Sequence, residues 1–179
     1  MCQFNIILTE KNTDSIILNK MLDSNGFGFS EISNESIIAQ TEFHKTIATT
    51  KNHCDCGSII GLNHSPSSQK IDIDKERKKL KKKRWTDSKI ERYISDKLKN
   101  EIKTEENNEL GNSAEEDKWK KLIDQFSKSK IKFGLFHHQF NGPIEDELIE
   151  IEKIIKIKSD QISIEQLRNL RDCQLLIIT

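Results

Sequence analysis

The sequence predicts an α+β fold: a mainly antiparallel mixed sheet with short helices packed on it and an inserted, charge-rich helical hairpin. Three observations predict it. Segments near both ends of the chain alternate apolar and polar residues with period two, as half-buried strands do. Short helical patterns with capping residues lie between them. Charged residues make up 32% of the 179 residues, and this polarity is concentrated between residues 72 and 130. Residues 1–69 and 131–179 are therefore read as one split core, and 70–130 as an insertion.

The elements follow in order. Cys2, Phe4, Ile6 and Leu8 share one face of a first strand. Residues 14–24 form a helix, with Thr13 or Asp14 as its cap and Leu18 and Leu22 inward. Asn25-Gly26 stops it, because glycine enters the left-handed region freely. Residues 27–32 read as a strand, 34–40 as a short helix and the threonine-rich 42–50 as a third strand. The serine-rich stretch 63–69, which holds Pro66, reads as a linker.

Within the insertion, 74–84 is helical, and Ile90, Ile94, Leu98 and Ile102 form a narrow stripe at i+4 spacing. A polar loop is expected at 105–112. Ser113 and Glu116 then look like a capping box opening a second helix, whose apolar face is Trp119, Leu122, Ile123 and Phe126. A helical hairpin results. Beyond it, 131–140 is the clearest strand, and 148–157 a further one. Ser163 and Gln166 form a second capping box, and the apolar run 174–178 reads as a buried strand.

Composition excludes several classes. Lysine plus arginine equal aspartate plus glutamate, 29 each, so no global field draws a polyanion. No apolar run approaches the roughly 18 residues of a membrane span. Met1 leads straight into a strand pattern without a basic targeting region, which places the chain in the cytoplasm with reduced thiols. Gly26-Phe27-Gly28 is followed by Glu31 where a dinucleotide fingerprint needs its third glycine, and no P-loop or nucleophile-elbow serine is present.

The candidate chemistry centres on cysteine and histidine. Cys54 and Cys56 flank Asp55, with His53 adjacent and His64 further on. Thiolates and imidazoles are zinc donors, so Cys54, Cys56, His53 and His64 are the candidate metal ligands, and Cys2 joins them if the first strand ends beside this loop. The plainer reading makes Cys54 and Cys56 turn residues and Cys2 an apolar strand residue. As a thiol nucleophile, Cys56 or Cys2 would pair with a histidine, and His137 is the candidate. With Met1 removed, the α-amine of Cys2 would serve as its base. That opening resembles the N-terminal-nucleophile amidotransferases, with Gln3 where they carry glycine. The run 75–84 holds eight bases and one acid. Lys78, Lys79, Lys82 and Arg84, with the indole of Trp85, are the candidate nucleic-acid contacts, and a solvated helix face is the plainer reading. The leading expectation is a cytosolic binding or regulatory protein with a protein partner, recognised through the hairpin or a sheet edge, and a zinc or thiol site. A small Cys-His hydrolase-like enzyme and a nucleic-acid binder are the alternatives.

Overall fold

The computed structural model describes residues 2–51, 53–64 and 72–179, with the backbone alone over 99–111. Strand β1 (Cys2–Thr9) is followed by helix α1 (Ser15–Ser24), β2 (Ser30–Ile32), α2 (Glu35–Ala39) and β3 (Lys45–Ala48). A 3-10 turn at Leu62–His64 precedes α3 (Ile73–Lys82) and α4 (Asp87–Lys128). Then come β4 (Phe133–Phe140), β5 (Lys153–Ile157), α5 (Ile164–Arg168) and β6 (Gln174–Ile178). The linker expected at 63–69 lies, from residue 65 onward, outside the described residues.

The six strands form one sheet in the order β2-β3-β1-β4-β6-β5. Every pairing is antiparallel except that of β5 with β6. The fold is thus α+β on a mainly antiparallel mixed sheet. At its centre β1 pairs with β4 along its whole length, from Cys2 opposite Phe140 to Thr9 opposite Phe133.

The chain divides into two compact units, residues 1–65 with 115–179, and residues 66–114. In the first, both faces of the sheet are covered. Ile7, Phe133, Leu135, Leu176 and Ile178 pack against Leu18 and Leu22 of α1, the last turns of α4, and Leu167 of α5. On the opposite face Ile6, Leu8, Phe136, Leu175 and Ile177 meet Ile37, Phe43 and Ile149. The half-buried strand expected for 2–8 is therefore buried on both sides from Asn5 onward. Alternation at the start of β1 marks only the portion beyond this cover, since a strand between two layers needs no polar face.

Local signals work as expected at the helix ends. The Asp14 carboxylate accepts the amides of Ile16 and Ile17, Gly26 follows with φ 81°, and the Ser163–Gln166 capping box forms. The strands around 27–32, 42–50 and 148–157 are shorter than their sequence patterns, at three, four and five residues.

The main correction concerns 105–112. The backbone there is helical, inside a single 42-residue helix, α4. One glycine costs a helix about 1 kcal/mol, which neighbouring turns offset. Glu115 and Glu116 are not spent on a cap. The Glu115 carboxylate accepts the Ser58 hydroxyl at 2.7 Å and the Ile59 amide at 3.0 Å, and Glu116 binds the Arg168 guanidinium. Trp119, Leu122 and Phe126 are fully buried in the first unit. Trp119 lies against Phe27 with ring centroids 4.6 Å apart.

In the second unit, the helices that pair are α3 and the start of α4. Leu80, Ile90 and Ile94 are buried together, with Ile73, Trp85 and Leu98 packed on them. The apolar stripe of α4 is covered by α3 as far as Leu98; the Ile102 side chain lies outside the description. Among the described residues, no helix is long and apolar enough to cross a membrane.

Candidate metal centre

β3 is four residues long and ends at Ala48, opposite Ile6 of β1. The edge of β1 from Cys2 to Asn5 would be unpaired on that side. Thr49, Asp55 and Cys56 fill it. The Thr49 amide donates to the Asn5 carbonyl at 3.1 Å, and the Asp55 amide to the Gln3 carbonyl at 2.8 Å. Two side chains then act as acceptors in place of backbone carbonyls. The Asn5 amide donates to Asp55 Oδ2 at 2.8 Å, and the Gln3 amide donates to Cys56 Sγ at 3.4 Å.

This edge repair brings three thiols together. Sγ of Cys2, Cys54 and Cys56 all lie within 4.8 Å of one another. Cys2 and Cys56 are exposed, Cys54 is half-buried, and all four cysteines are free. Tetrahedral zinc with Zn–S bonds of about 2.3 Å holds its sulfurs about 3.8 Å apart. A bound ion would draw the three sulfurs, which lie within 4.8 Å of one another, to that spacing. The N–H···S bond from Gln3 is the kind that stabilises a metal-bound thiolate. Among the described residues, no histidine joins the group. His53 and His64 are both exposed. The donor set is three sulfurs, with Cys2 where the sequence put imidazoles.

His137 belongs to a different array. It is buried, and its Nδ1 lies 2.9 Å from Asn5 Oδ1. Asn5 Nδ2 donates to Ser58 Oγ at 3.1 Å, and the Ser58 hydroxyl donates to Glu115 at 2.7 Å. Because Oδ1 accepts, His137 carries its proton on Nδ1. Burial pushes its pKa down to about 4, so the ring is neutral at pH 7. The pairing of Cys2 or Cys56 with His137 does not form: Asn5 takes the imidazole, and the thiols face one another. Gly61, at φ 71°, leaves room for the ring; a Cβ there would sit 2.7 Å from His137 Nε2.

Beside the thiols lies a polar cavity of about 200 Å3, lined by Cys54, Asp55, Glu115, Lys51 and Lys118 among others. Burial, with Glu115 nearby, pushes the Asp55 carboxyl up to about 6, against the amide of Asn5, which favours the charged form.

The basic run is partly self-neutralised. Lys79 lies 4.0 Å from Glu76, and Lys81 3.3 Å from Asp87. Lys78, Lys82 and Arg84 are exposed, and Trp85 is half-buried. It packs on the α3–α4 core, edge-on to Tyr93 at 5.6 Å, with Lys89 Nζ 4.2 Å from its ring. Against this geometry, comparison adds nothing further: the chain matches no protein-family model, no curated protein and no solved structure.

Proposed function

We propose that the chain is a metal-binding regulatory protein whose Cys2, Cys54 and Cys56 hold one zinc ion. The observation that carries this is the convergence of three thiol sulfurs, from segments about fifty residues apart in sequence, within 4.8 Å. Thiolates select zinc over magnesium or calcium. Three protein donors leave a fourth position for water or an outside ligand. The ion ties the 54–56 segment to the start of β1 and so fastens the repair of that edge. Loss of zinc loosens the segment and uncovers the β1 backbone. That is a switch of the kind a regulatory protein needs.

The test is zinc content, with cobalt as a spectroscopic probe. Reduced protein purified without chelator is expected to carry one more equivalent of zinc than the Cys2→Ser/Cys54→Ser/Cys56→Ser variant. Cobalt bound at these residues should give an intense sulfur-to-metal charge-transfer band. Equal zinc in the two proteins, with no difference in that band, would remove the proposal.

A further inference from the structure

β4 carries two adjacent histidines, and alternation sends them to opposite faces of the sheet. His137 is spent on Asn5. His138 faces the other way and is buried, edge-on to Phe140 with centroids 4.6 Å apart. Pairing of β4 with β6 sets Gln174 opposite His137, which delivers the two residues before β6 to the His138 ring. Cys173 stands there in the left-handed region at φ 57°, and its amide donates to the His137 carbonyl at 3.1 Å.

The surroundings of His138 are unusual in one respect. Two groups converge on a single ring nitrogen. Asp172 Oδ1 lies 2.8 Å from Nδ1, and Cys173 Sγ lies 3.2 Å from the same atom. One N–H satisfies one such partner well. On the other side, Nε2 lies 3.3 Å from Glu147 Oε1, and Glu147 is itself anchored by the Asn141 amide on Oε2 at 2.8 Å. The imidazole is thus oriented by one carboxylate while its free nitrogen points at an oxygen and a sulfur. Metal-bound histidines are held in this way.

We infer that His138, Asp172 and Cys173 form a second metal site, with one nitrogen, one oxygen and one sulfur donor, that takes zinc, and that Glu147 positions the imidazole. The three donor atoms lie within 4.8 Å of one another. Zinc in a tetrahedral site holds a nitrogen and a sulfur about 3.5 Å apart. The donors therefore need to open by only a few tenths of an ångström; Asp172 is half-exposed, and its Oδ1 also accepts the Gln139 amide at 2.8 Å. The charge around the site argues for a cation and against a nucleophilic thiol. The carboxylates of Asp172 and Glu147 lie against the two nitrogens of the His138 ring. A catalytic cysteine needs the opposite surround. A bound dication is attracted by the same carboxylates and displaces the thiol proton on binding.

This site is independent of the three-thiol centre, and the experiment keeps the two apart. In the Cys2→Ser/Cys54→Ser/Cys56→Ser background, cobalt and then zinc are titrated into the reduced full chain. One equivalent is expected to bind, with a charge-transfer band from a single thiolate. Cys173→Ser removes the band. Asp172→Asn, which keeps an oxygen for the Gln139 amide, weakens binding at least tenfold. Glu147→Gln weakens it roughly ten- to hundredfold, the usual effect of losing a carboxylate behind a ligating histidine. A background variant that binds neither ion at micromolar concentration overturns the site. So does binding that persists unchanged in Cys173→Ser and Asp172→Asn.

Discussion

The side chain of Asn5 holds the imidazole of His137, Oδ1 to Nδ1 at 2.9 Å, while the backbone amide of the same Asn5 holds the carboxylate of Asp55 at 2.8 Å. One residue of β1 therefore touches two titratable groups, one buried and one half-buried, whose pKa values move in opposite directions, His137 down to about 4 and Asp55 up to about 6.

Their effects on stability oppose each other. From about pH 4 to 6.5 the unfolded chain binds a proton at His137 that the folded chain does not, so stability rises with pH. From about pH 3.8 to 6 the folded chain holds a proton at Asp55 that the unfolded chain has lost, so stability falls with pH. Each contribution is of the order of 3 kcal/mol. In the native protein the two nearly cancel. Urea unfolding across pH 4 to 6.5 should show stability rising with pH in Asp55→Asn and falling with pH in His137→Gln. Parallel curves for the two variants would refute the opposition.

Gly61 sits at φ 71°, and a methyl there would lie 2.7 Å from His137 Nε2 and 2.9 Å from the Leu170 carbonyl. Neither neighbour is free to retreat, since one is a buried ring and the other backbone. Gly61→Ala is expected to lower stability by about 2–4 kcal/mol, from left-handed strain plus the clash. A change below about 1 kcal/mol in the urea midpoint analysis would show that the ring has more room.

The two compact units predict a sharp boundary in truncation. Replacing residues 72–114 by a short flexible linker should leave cooperative unfolding of the first unit. Extending the deletion to residue 130 removes Trp119, Leu122, Ile123 and Phe126, all buried there. Burying one such side chain is worth about 1.5–3 kcal/mol, so the longer deletion should abolish the transition. Circular dichroism during thermal unfolding separates the outcomes.

Thiol chemistry gives a fourth expectation. In metal-free protein, Cys173 at about 11 presents far less thiolate at pH 7.5 than an unfolded cysteine near roughly 8.5. Its alkylation by iodoacetamide, read by peptide mass spectrometry, should be at least tenfold slower folded than in urea. Equal rates would mean that neither burial nor the carboxylates around it act on the thiol.

Much of the fold was legible because local rules dominate where they are strongest. The buried run at 174–178 is β6, residue for residue, and the serine and glutamine at 163 and 166 cap their helix as that spacing requires. The 105–112 stretch reads as a loop because asparagines and a glycine favour one, whereas it continues a helix whose Glu115 and Glu116 are held by Ser58 and Arg168, far off in sequence. The same holds for the sites. Cys54 and Cys56 stand out at a glance. Their third partner, Cys2, depends on β3 stopping at Ala48 and leaving the β1 edge open, a length that no residue in β1 encodes. His138, Asp172 and Cys173 meet only through the β4–β6 register. The available signal was the second histidine of β4, together with an aspartate and a cysteine directly before an apolar strand.

The order of the strands also decides when the molecule can assemble. β1 pairs with β3 across a few tens of residues, but with β4 only across roughly 125, a closure that costs about 1 kcal/mol more in chain entropy. Contacts so distant in sequence form late. The strand destined for the centre of the sheet thus spends the early part of folding with one hydrogen-bonding edge bare and Ile6, Ile7 and Leu8 uncovered. In that interval it can pair with another copy as readily as with β4. Refolding yield should therefore fall with protein concentration well before stability does.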